Sequence, residues 1–223
     1  MTRDLRRFAE LPGPWVVLDY GCGSGRLIPL LTPLGDVHAF DVTPKVLDAV
    51  RERHPDTHVV AGDGSYPTPL ADATYHVAIS SEVIEHTTDQ ASLVEDLLRV
   101  LRPGGLLLLT TPNARFEARY KAGTNSLQPI ENWLTAGRLR RLVETAGFEV
   151  LATGTLGAHW SNMPYRRTAL YRLAKKVGRR LRLWQAVDNG ESWLAARLGR
   201  GITLTLAARK PGVTPPTGPN GAP

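Results

Sequence analysis

Short apolar runs that alternate with amphipathic helical segments constrain the fold of this chain more than any other feature of its sequence. Helix signals lie between them: Asp89 is placed as the N-cap of a leucine-striped segment, and Thr135 precedes another helix that Gly147 closes. This alternation predicts an α/β protein with a doubly wound parallel sheet. Strands are predicted at 15–19, 36–41, 57–61, 75–80, 106–110, 148–155 and 202–208.

Length and composition exclude several classes of protein. The chain has 223 residues, of which 42% are hydrophobic, enough for one large domain with its own core. Its single cysteine, Cys22, excludes a disulfide scaffold and indicates a reducing compartment. The densest apolar run, 106–109, is far too short to cross a bilayer, and no signal-peptide pattern occurs near the amino terminus. We therefore expect a cytoplasmic protein that is soluble or peripheral to the inner face of a membrane.

The formal net charge of +6 is distributed unevenly along the chain. Residues 1–156 hold 15 Lys and Arg against 19 Asp and Glu, a net −4, whereas 157–210 hold 12 against 2, a net +10. This division separates an acidic sheet from a basic segment that precedes the last strand. We predict a single domain over 1–210, in which 157–201 form a basic helical insert or lid, followed by a disordered Pro- and Gly-rich tail over 211–223.

A glycine-rich loop follows the first strand, at the end of the sheet where α/β proteins bind ligands. The run from Asp19 to Gly25 contains three glycines, which let a ligand approach the backbone closely. Asp41 follows 20 residues after Gly21, at the end of the second strand, where a carboxylate can accept both hydroxyls of a ribose. The dinucleotide fingerprint has a glycine where this chain has Arg26. The acidic Asp19 also suits a positive amino group better than a pyrophosphate, which disfavours NAD.

Four motifs, in the order in which they follow one another along the chain, resemble those of the class I S-adenosylmethionine-dependent methyltransferases of the methyltransferase type 11/23 superfamily. They are the glycine loop, Asp41, the pair Asp63-Gly64 and the segment 101–113. The run from Val17 to Gly25 resembles motif I, and 101–113 resembles the turn and strand typical of the family. The resemblance implies a seven-stranded, Rossmann-like sheet whose last strand is antiparallel, with S-adenosylmethionine as the methyl donor. It implies that Asp41 contacts the ribose and that Asp63, with Gly64, contacts adenine. The cofactor contacts implied are Asp19, Gly21, Cys22, Gly23, Gly25, Asp41, Val42, Asp63, Gly64 and Ser81.

The residues after the fourth strand are candidates for preparing the methyl acceptor. Glu82, Glu85 and His86 have a spacing that places them on one face of a helical turn. In one interpretation, His86 is a general base that the carboxylates support. In a second, the three side chains bind Mg²⁺, which acidifies the acceptor hydroxyl. In a third, the glutamates face solvent or cofactor and His86 caps the turn. We favour the base over the metal, and the metal over no role.

The same segment resembles two groups within the family. Ubiquinone-biosynthesis O-methyltransferases carry similar residues here, as do small-RNA 2′-O-methyltransferases, in which the trio and a later histidine bind Mg²⁺. After Asn113 the next histidine of this chain is His159, too distant for that role. We therefore expect O-methylation of a small-molecule or lipid-linked acceptor, with RNA methylation as the alternative. A module that binds the cofactor without catalysis is a further alternative, which the intact motif I argues against.

A basic amphipathic helix is predicted over 165–184, within the insert. Its leucines and its Lys and Arg side chains suit an anionic membrane surface, an anionic acceptor or nucleic acid phosphates. A solvated charged face over an apolar stripe that covers the sheet has about equal weight. Nucleic acid is the least favoured partner, because no base-reading pattern is present. The sequence does not predict the oligomeric state.

Overall fold

Seven strands form a single sheet in the order β3-β2-β1-β4-β5-β7-β6 in the computed structural model, which describes residues 14–116, 130–158 and 201–212. Strand β7 is antiparallel to both of its neighbours, and the other pairs are parallel. This topology confirms the predicted doubly wound sheet with an antiparallel last strand. The strands are β1 (Trp15–Tyr20), β2 (Gly35–Asp41), β3 (His58–Ala61), β4 (Tyr75–Ser81), β5 (Leu101–Pro112), β6 (Glu149–Ala158) and β7 (Gly201–Arg209).

Helices cover both faces of the sheet: α1 (Ile28–Leu31), α2 (Pro44–Arg53), α3 (Gln90–Val100) and α4 (Ala136–Thr145). The side chains of Asp89 and Thr135 accept hydrogen bonds from the first turns of α3 and α4, as predicted. Thr43 occupies the N-cap position of α2, but its side chain makes no capping bond. Its backbone N–H donates instead to Asp41 Oδ1, at 2.9 Å, which ties the start of α2 to the end of β2.

The sheet separates two apolar clusters. One contains Leu18, Ala78 and Leu107 and is covered by α3 and α4, and the other contains Val17 and Val77 and is covered by α1 and α2. Because both faces are covered, the central strands are apolar along most of their length. The carboxyl ends of β1 to β4 therefore carry the polar groups and meet at one edge of the sheet.

Strand β5 begins at Leu101 rather than at Leu106 as predicted. Leu101 pairs with Tyr75, and the pairing then shifts register before Leu106 joins Val77. Gly104, with φ +78°, lies in this irregular stretch. The predicted turn is thus accommodated within the strand.

Several predictions fall on residues that the structure does not describe. They are the basic insert apart from its two ends, its helix over 165–184, and the tail beyond 212. Within the described ranges, no helix is long and apolar enough to span a bilayer.

Candidate active site

A cavity of about 520 Å³ lies at the carboxyl ends of β1, β2 and β4, beside the loop that follows β3. The order of the strands reverses between β1 and β4, the point at which open α/β sheets bind ligands. Tyr20 and Phe40 form part of its wall, with ring centroids 4.8 Å apart. Of the predicted site residues, the cavity brings together Gly21, Gly23, Asp41, Val42, Gly64, Glu82 and His86.

Three glycines shape the loop after β1 in three different ways. A Cβ on Gly21 would overlap Val83 Cγ2, so only glycine lets the loop approach the segment after β4 this closely. A Cβ on Gly23 would have no neighbour within 4 Å, because this residue borders the open cavity. A Cβ on Gly25 would lie 3.0 Å from Ile28 Cδ1 and 3.1 Å from Val50 Cγ2. Gly25 therefore serves the packing of the loop against the helices.

Asp41 holds the end of β2 to the glycine loop. Its Oδ2 accepts a hydrogen bond from Gly23 N, and its Oδ1 accepts one from Thr43 N, both at 2.9 Å. Each carboxylate oxygen has a second lone pair for a further donor. The side chain is thus fixed in orientation at the wall of the cavity and can still accept hydroxyl groups of a ligand.

Asp19 is a buried carboxylate next to this loop. Only 2% of the residue is exposed, and within the described ranges its Oδ2 has no hydrogen-bond partner. Burial raises the pKa of Asp19 to about 7, and the nearby charge of Asp41 adds to the shift. An orphaned buried carboxylate oxygen is costly unless a ligand supplies a donor, and a cationic amino group fits this requirement.

The remaining predicted cofactor contacts differ in burial: Cys22 is buried, Ser81 is half-buried and Asp63 is exposed. Asp63 Oδ1 accepts hydrogen bonds from Ser65 N and Oγ, at 2.9 and 2.6 Å, and these bonds lower its pKa. Burial raises the pKa of the Cys22 thiol to about 12, so this cysteine is not a reactive one. The hydroxyl of Ser81 lies 2.9 Å from that of Thr110. Five predicted contacts are not among the described lining residues: Asp19, Cys22, Gly25, Asp63 and Ser81.

Glu82 and Glu85 do not lie on one face of a helical turn as predicted. Glu82 has φ +57°, and a single 3₁₀ turn over Ile84–His86 follows it. Glu82 Oε1 accepts a hydrogen bond from Thr110 Oγ1 at 3.1 Å, whereas Glu85 Oε2 accepts one from Thr111 Oγ1 at 2.9 Å. Successive residues of a strand point to opposite faces, so the two carboxylates are bound from different faces of β5.

Burial separates the two glutamates further. Glu85 is only 1% exposed, so of the interpretation in which the glutamates face solvent or cofactor, the solvent part does not hold for this residue. Desolvation is the main cause that raises the pKa of both carboxyls, with the hydrogen bonds from β5 opposing it. Glu85 is therefore a group that can hold a proton near neutral pH.

His86 is the imidazole at the mouth of the cavity. Its Nδ1 lies 3.0 Å from the backbone oxygen of Ile130, and because a carbonyl only accepts, Nδ1 carries the hydrogen. The other nitrogen, Nε2, lies 3.7 Å from Glu85 Oε1. The neutral ring consequently presents a lone pair at Nε2, beside a buried carboxylate.

Comparison with known proteins identifies the family. The family model described as a methyltransferase domain matches residues 1–153. The chain belongs to the methyltransferase-domain family. A probable S-adenosylmethionine-dependent methyltransferase of Mycolicibacterium smegmatis is 38% identical over 137 residues, which are 60% of this chain and 52% of that protein. The malonyl-[acyl-carrier protein] O-methyltransferase of Serratia marcescens is 36% identical over 96 residues, 43% of this chain and 37% of that protein.

The methyltransferase domain thus matches about half the length of the first of these relatives, and less of the second. A crystal structure of a candidate methyltransferase from Bacillus halodurans has the same fold, with a TM-score of 0.63 and 23% identity. The comparison covers 94% of this chain and 98% of that one.

A magnesium site has no support in this methyltransferase domain. Glu82, Glu85 and His86 are all described, yet no group of three or more His, Cys, Asp or Glu within the described ranges is arranged to hold a metal ion. The two glutamates instead accept hydrogen bonds from successive threonines of β5, Thr110 and Thr111. The predicted alternative of Mg²⁺ at these three residues remains without a supporting observation.

Other residues shape the site of the methyltransferase domain and were not anticipated from the sequence. Asn132 N donates to Glu85 O at 2.7 Å, and Asn132 Nδ2 donates to Thr87 O at 3.1 Å. Gln90 Nε2 donates to both Ile84 O and Asn132 O, at 3.0 and 2.8 Å. These bonds hold the segment that contains Ile130 and Asn132 against the 3₁₀ turn that contains His86. Only the polar Thr110-Thr111 pair that ends the apolar β5 offered a sequence signal.

A second cavity, of about 550 Å³, lies between the start of α4 and the middle of β6 and β7. Asn113 is part of its wall, two residues beyond Thr111 on the same chain segment. Arg115 is the charged side chain among its described lining residues.

Proposed function

We propose that this protein transfers a methyl group from S-adenosylmethionine to an oxygen atom of a small or lipophilic acceptor. The observation that carries the proposal is the orphaned carboxylate of Asp19 beside a glycine loop that is open to a cavity. Family membership supports the same assignment, because the matched region contains this loop. S-adenosylmethionine, when bound, supplies a methyl group activated by a positively charged sulfur.

The chain's own residues fit that cofactor. Asp19 and Asp41 provide acceptors for an ammonium group and for ribose hydroxyls, and Gly23 and Gly64 leave space where a Cβ would otherwise stand. The aromatic wall beside Tyr20 offers an apolar surface suited to a flat base. The site thus combines negative charge with close backbone approach, as a cationic nucleoside ligand requires.

His86 is proposed to accept the proton of the acceptor hydroxyl at Nε2. The carbonyl of Ile130 keeps the Nδ1 hydrogen in place, which leaves Nε2 free for this task. Once protonated, the ring carries a positive charge that the ionised form of Glu85, with Oε1 3.7 Å away, stabilises. The buried Glu85 thereby supports His86 without contacting the acceptor.

Transfer to oxygen is supported by the relative from Serratia marcescens, which is named an O-methyltransferase. The second cavity offers space for part of an acceptor. Asn113, one of its lining residues, lies two residues after Thr111, whose hydroxyl donates to Glu85. The distribution of charge along the sequence adds the basic stretch over 157–210 as a candidate contact for a lipid-linked or anionic acceptor. Co-sedimentation with anionic vesicles and with RNA, over a series of salt concentrations, distinguishes these partners.

Isothermal titration with S-adenosylhomocysteine tests the cofactor assignment. We expect the wild type to bind with 1:1 stoichiometry and Asp41→Ala to bind at least tenfold more weakly, about the loss of one charge-assisted hydrogen bond. Asp48→Ala, at an exposed position of α2, is the matched control and should bind as the wild type does. Failure of the wild type to bind, or equal binding by Asp41→Ala, contradicts the proposal.

Turnover distinguishes an enzyme from a module that only binds the cofactor. Once an acceptor has been identified, its turnover by the His86→Ala variant can be measured. We expect kcat to fall by about 10²-fold or more, the usual range for loss of a general base, and the variant to bind S-adenosylhomocysteine as the wild type does. An unchanged kcat would remove His86 from the mechanism and leave the cofactor assignment intact.

A further inference from the structure

The loop between β3 and β4, residues 62–74, carries the groups proposed to contact adenine, yet it contains neither helix nor strand. Gly64, Ser65, Tyr66 and Thr68 of this loop line the first cavity. An irregular segment lacks the repeating backbone bonds that hold a helix or strand in place. The position of this wall therefore depends on contacts with other elements.

Asp96, on the covered face of α3, is one of these contacts. The residue is only 3% exposed, although it is a charged side chain in an amphipathic helix. Its Oδ1 accepts a hydrogen bond from Thr68 N at 3.2 Å, and its Oδ2 accepts one from Thr68 Oγ1 at 2.6 Å. A buried carboxylate thus binds both the backbone and the side chain of one loop residue.

Arg99, one turn further along α3, completes the attachment. Its Nε and Nη2 donate to Asp96 Oδ1 at 2.9 and 2.6 Å, and Nη2 also donates to Thr68 O at 3.1 Å. Its Nη1 donates to Leu70 O at 2.7 Å and pairs with the carboxylate of Asp72. One guanidinium group therefore binds three loop residues and the buried Asp96 at once, which its planar arrangement of donors allows.

We propose that Asp96 and Arg99 are positioning residues for the adenine end of the cofactor. They fix the loop that forms this wall, and neither is proposed to touch the cofactor itself. The inference rests on the proposed function, because it requires that the first cavity binds S-adenosylmethionine. According to this inference, two side chains of α3 contribute to the affinity for the cofactor, in addition to the residues of the glycine loop and of the end of β2.

Arg99→Lys is the informative variant. Lysine keeps the positive charge, but a single ammonium group cannot reach Asp96, Thr68 O and Leu70 O together. We expect the Kd for S-adenosylhomocysteine to rise about tenfold, the loss expected for a hydrogen bond to a charged group. With saturating methyl donor, kcat should stay within about twofold of the wild type, since the catalytic turn keeps its own hydrogen bonds.

Two controls separate positioning from general weakening of the fold. Arg51→Lys changes another Asp–Arg pair with the same three-residue spacing, Asp48–Arg51, which is exposed on α2. Val143→Ala creates a small cavity under α4 and lowers the melting temperature without altering the attachment of the loop. Both should bind S-adenosylhomocysteine within twofold of the wild type.

Titration calorimetry, thermal melting and amide hydrogen exchange are measured on all four proteins. Faster exchange over 62–74 in Arg99→Lys alone, together with its weaker binding, supports the inference. Normal binding by Arg99→Lys overturns it, and so does an equal loss in Val143→Ala, because a loss of stability would then explain the effect. If the wild type binds no S-adenosylhomocysteine, the proposed function fails and this inference fails with it.

Discussion

At the scale of single residues, Asp19 is the group whose protonation a ligand should change most. Its pKa is raised to about 7, mainly by burial. A cationic amino group favours the charged carboxylate, so binding should release the proton that Asp19 holds below pH 7. We expect S-adenosylhomocysteine to bind more tightly as the pH rises from 5.5 to 7.5 and to release about one proton at the acidic end.

Calorimetry in two buffers of different ionisation enthalpy measures that proton release. Asp19→Asn should bind more weakly and show no such release between these pH values. Asp63→Asn is the control, because the pKa of Asp63 is lowered and this carboxylate is already charged throughout the range. Equal proton release by wild type and Asp19→Asn would show that another group is responsible.

At the scale of an element, two glycines of the loop after β1 contribute to different properties, Gly23 to ligand binding and Gly25 to the stability of the fold. The substitution Gly23→Ala adds a Cβ that meets no protein atom within 4 Å and enters the open cavity. We therefore expect Gly23→Ala to weaken S-adenosylhomocysteine binding at least tenfold. Alanine at 25 places its Cβ against Ile28 and Val50 and should mainly destabilise the fold. Both positions have positive φ, so each variant also includes a backbone cost of about 1–2 kcal/mol.

Urea unfolding and titration calorimetry on the same two proteins test this separation. The variant at 23 should lose more affinity, and the variant at 25 more free energy of unfolding. The Gly21→Ala variant gives an internal check, since its Cβ would overlap Val83 and the additional change Val83→Ala should recover part of the loss. Parallel losses of affinity and stability at 23 and 25 would contradict the division.

The sequence predicts regular elements of this protein better than its side-chain directions. Apolar runs mark the strands because both faces of the sheet are covered, and Asp89 and Thr135 mark helix starts because they cap them. The divergence of Glu82 and Glu85 was not predictable, since it depends on a positive φ and on hydroxyls from β5.

The role of Asp96 was equally hidden from helical periodicity. A charged residue in an amphipathic helix is ordinarily expected on its solvated face. Asp96 is instead covered by the loop before β4, and this loop is far from α3 in sequence. Its position becomes apparent only when the two segments are seen together.

At the scale of the whole molecule, the titratable groups of this protein have opposing effects on its stability. Burial raises the pKa of Asp19 and Glu85, so stability is highest when they are protonated and is lost as the pH rises through their folded-state pKa values. Burial lowers the pKa of His38 and His76, so their contribution to stability is lost as the pH falls below 6.5. The two effects oppose each other between about pH 4 and 7.

Replacing the two carboxyls by amides isolates their share of this balance. For Asp19→Asn/Glu85→Gln, we expect the free energy of unfolding relative to wild type to increase as the pH rises from about 4 to 7.5 and then to level off. A shift as large as that of Asp19 corresponds to roughly 4 kcal/mol across this range. Urea unfolding of the ligand-free proteins measures the difference, with Asp63→Asn as the control that should change only below about pH 4, where its carboxylate is protonated. Saturating S-adenosylhomocysteine should reduce the part of the pH-dependent difference that is due to Asp19, because the ligand compensates its buried charge. A difference in unfolding free energy that stays constant with pH would mean that the buried carboxyls are already charged in acid.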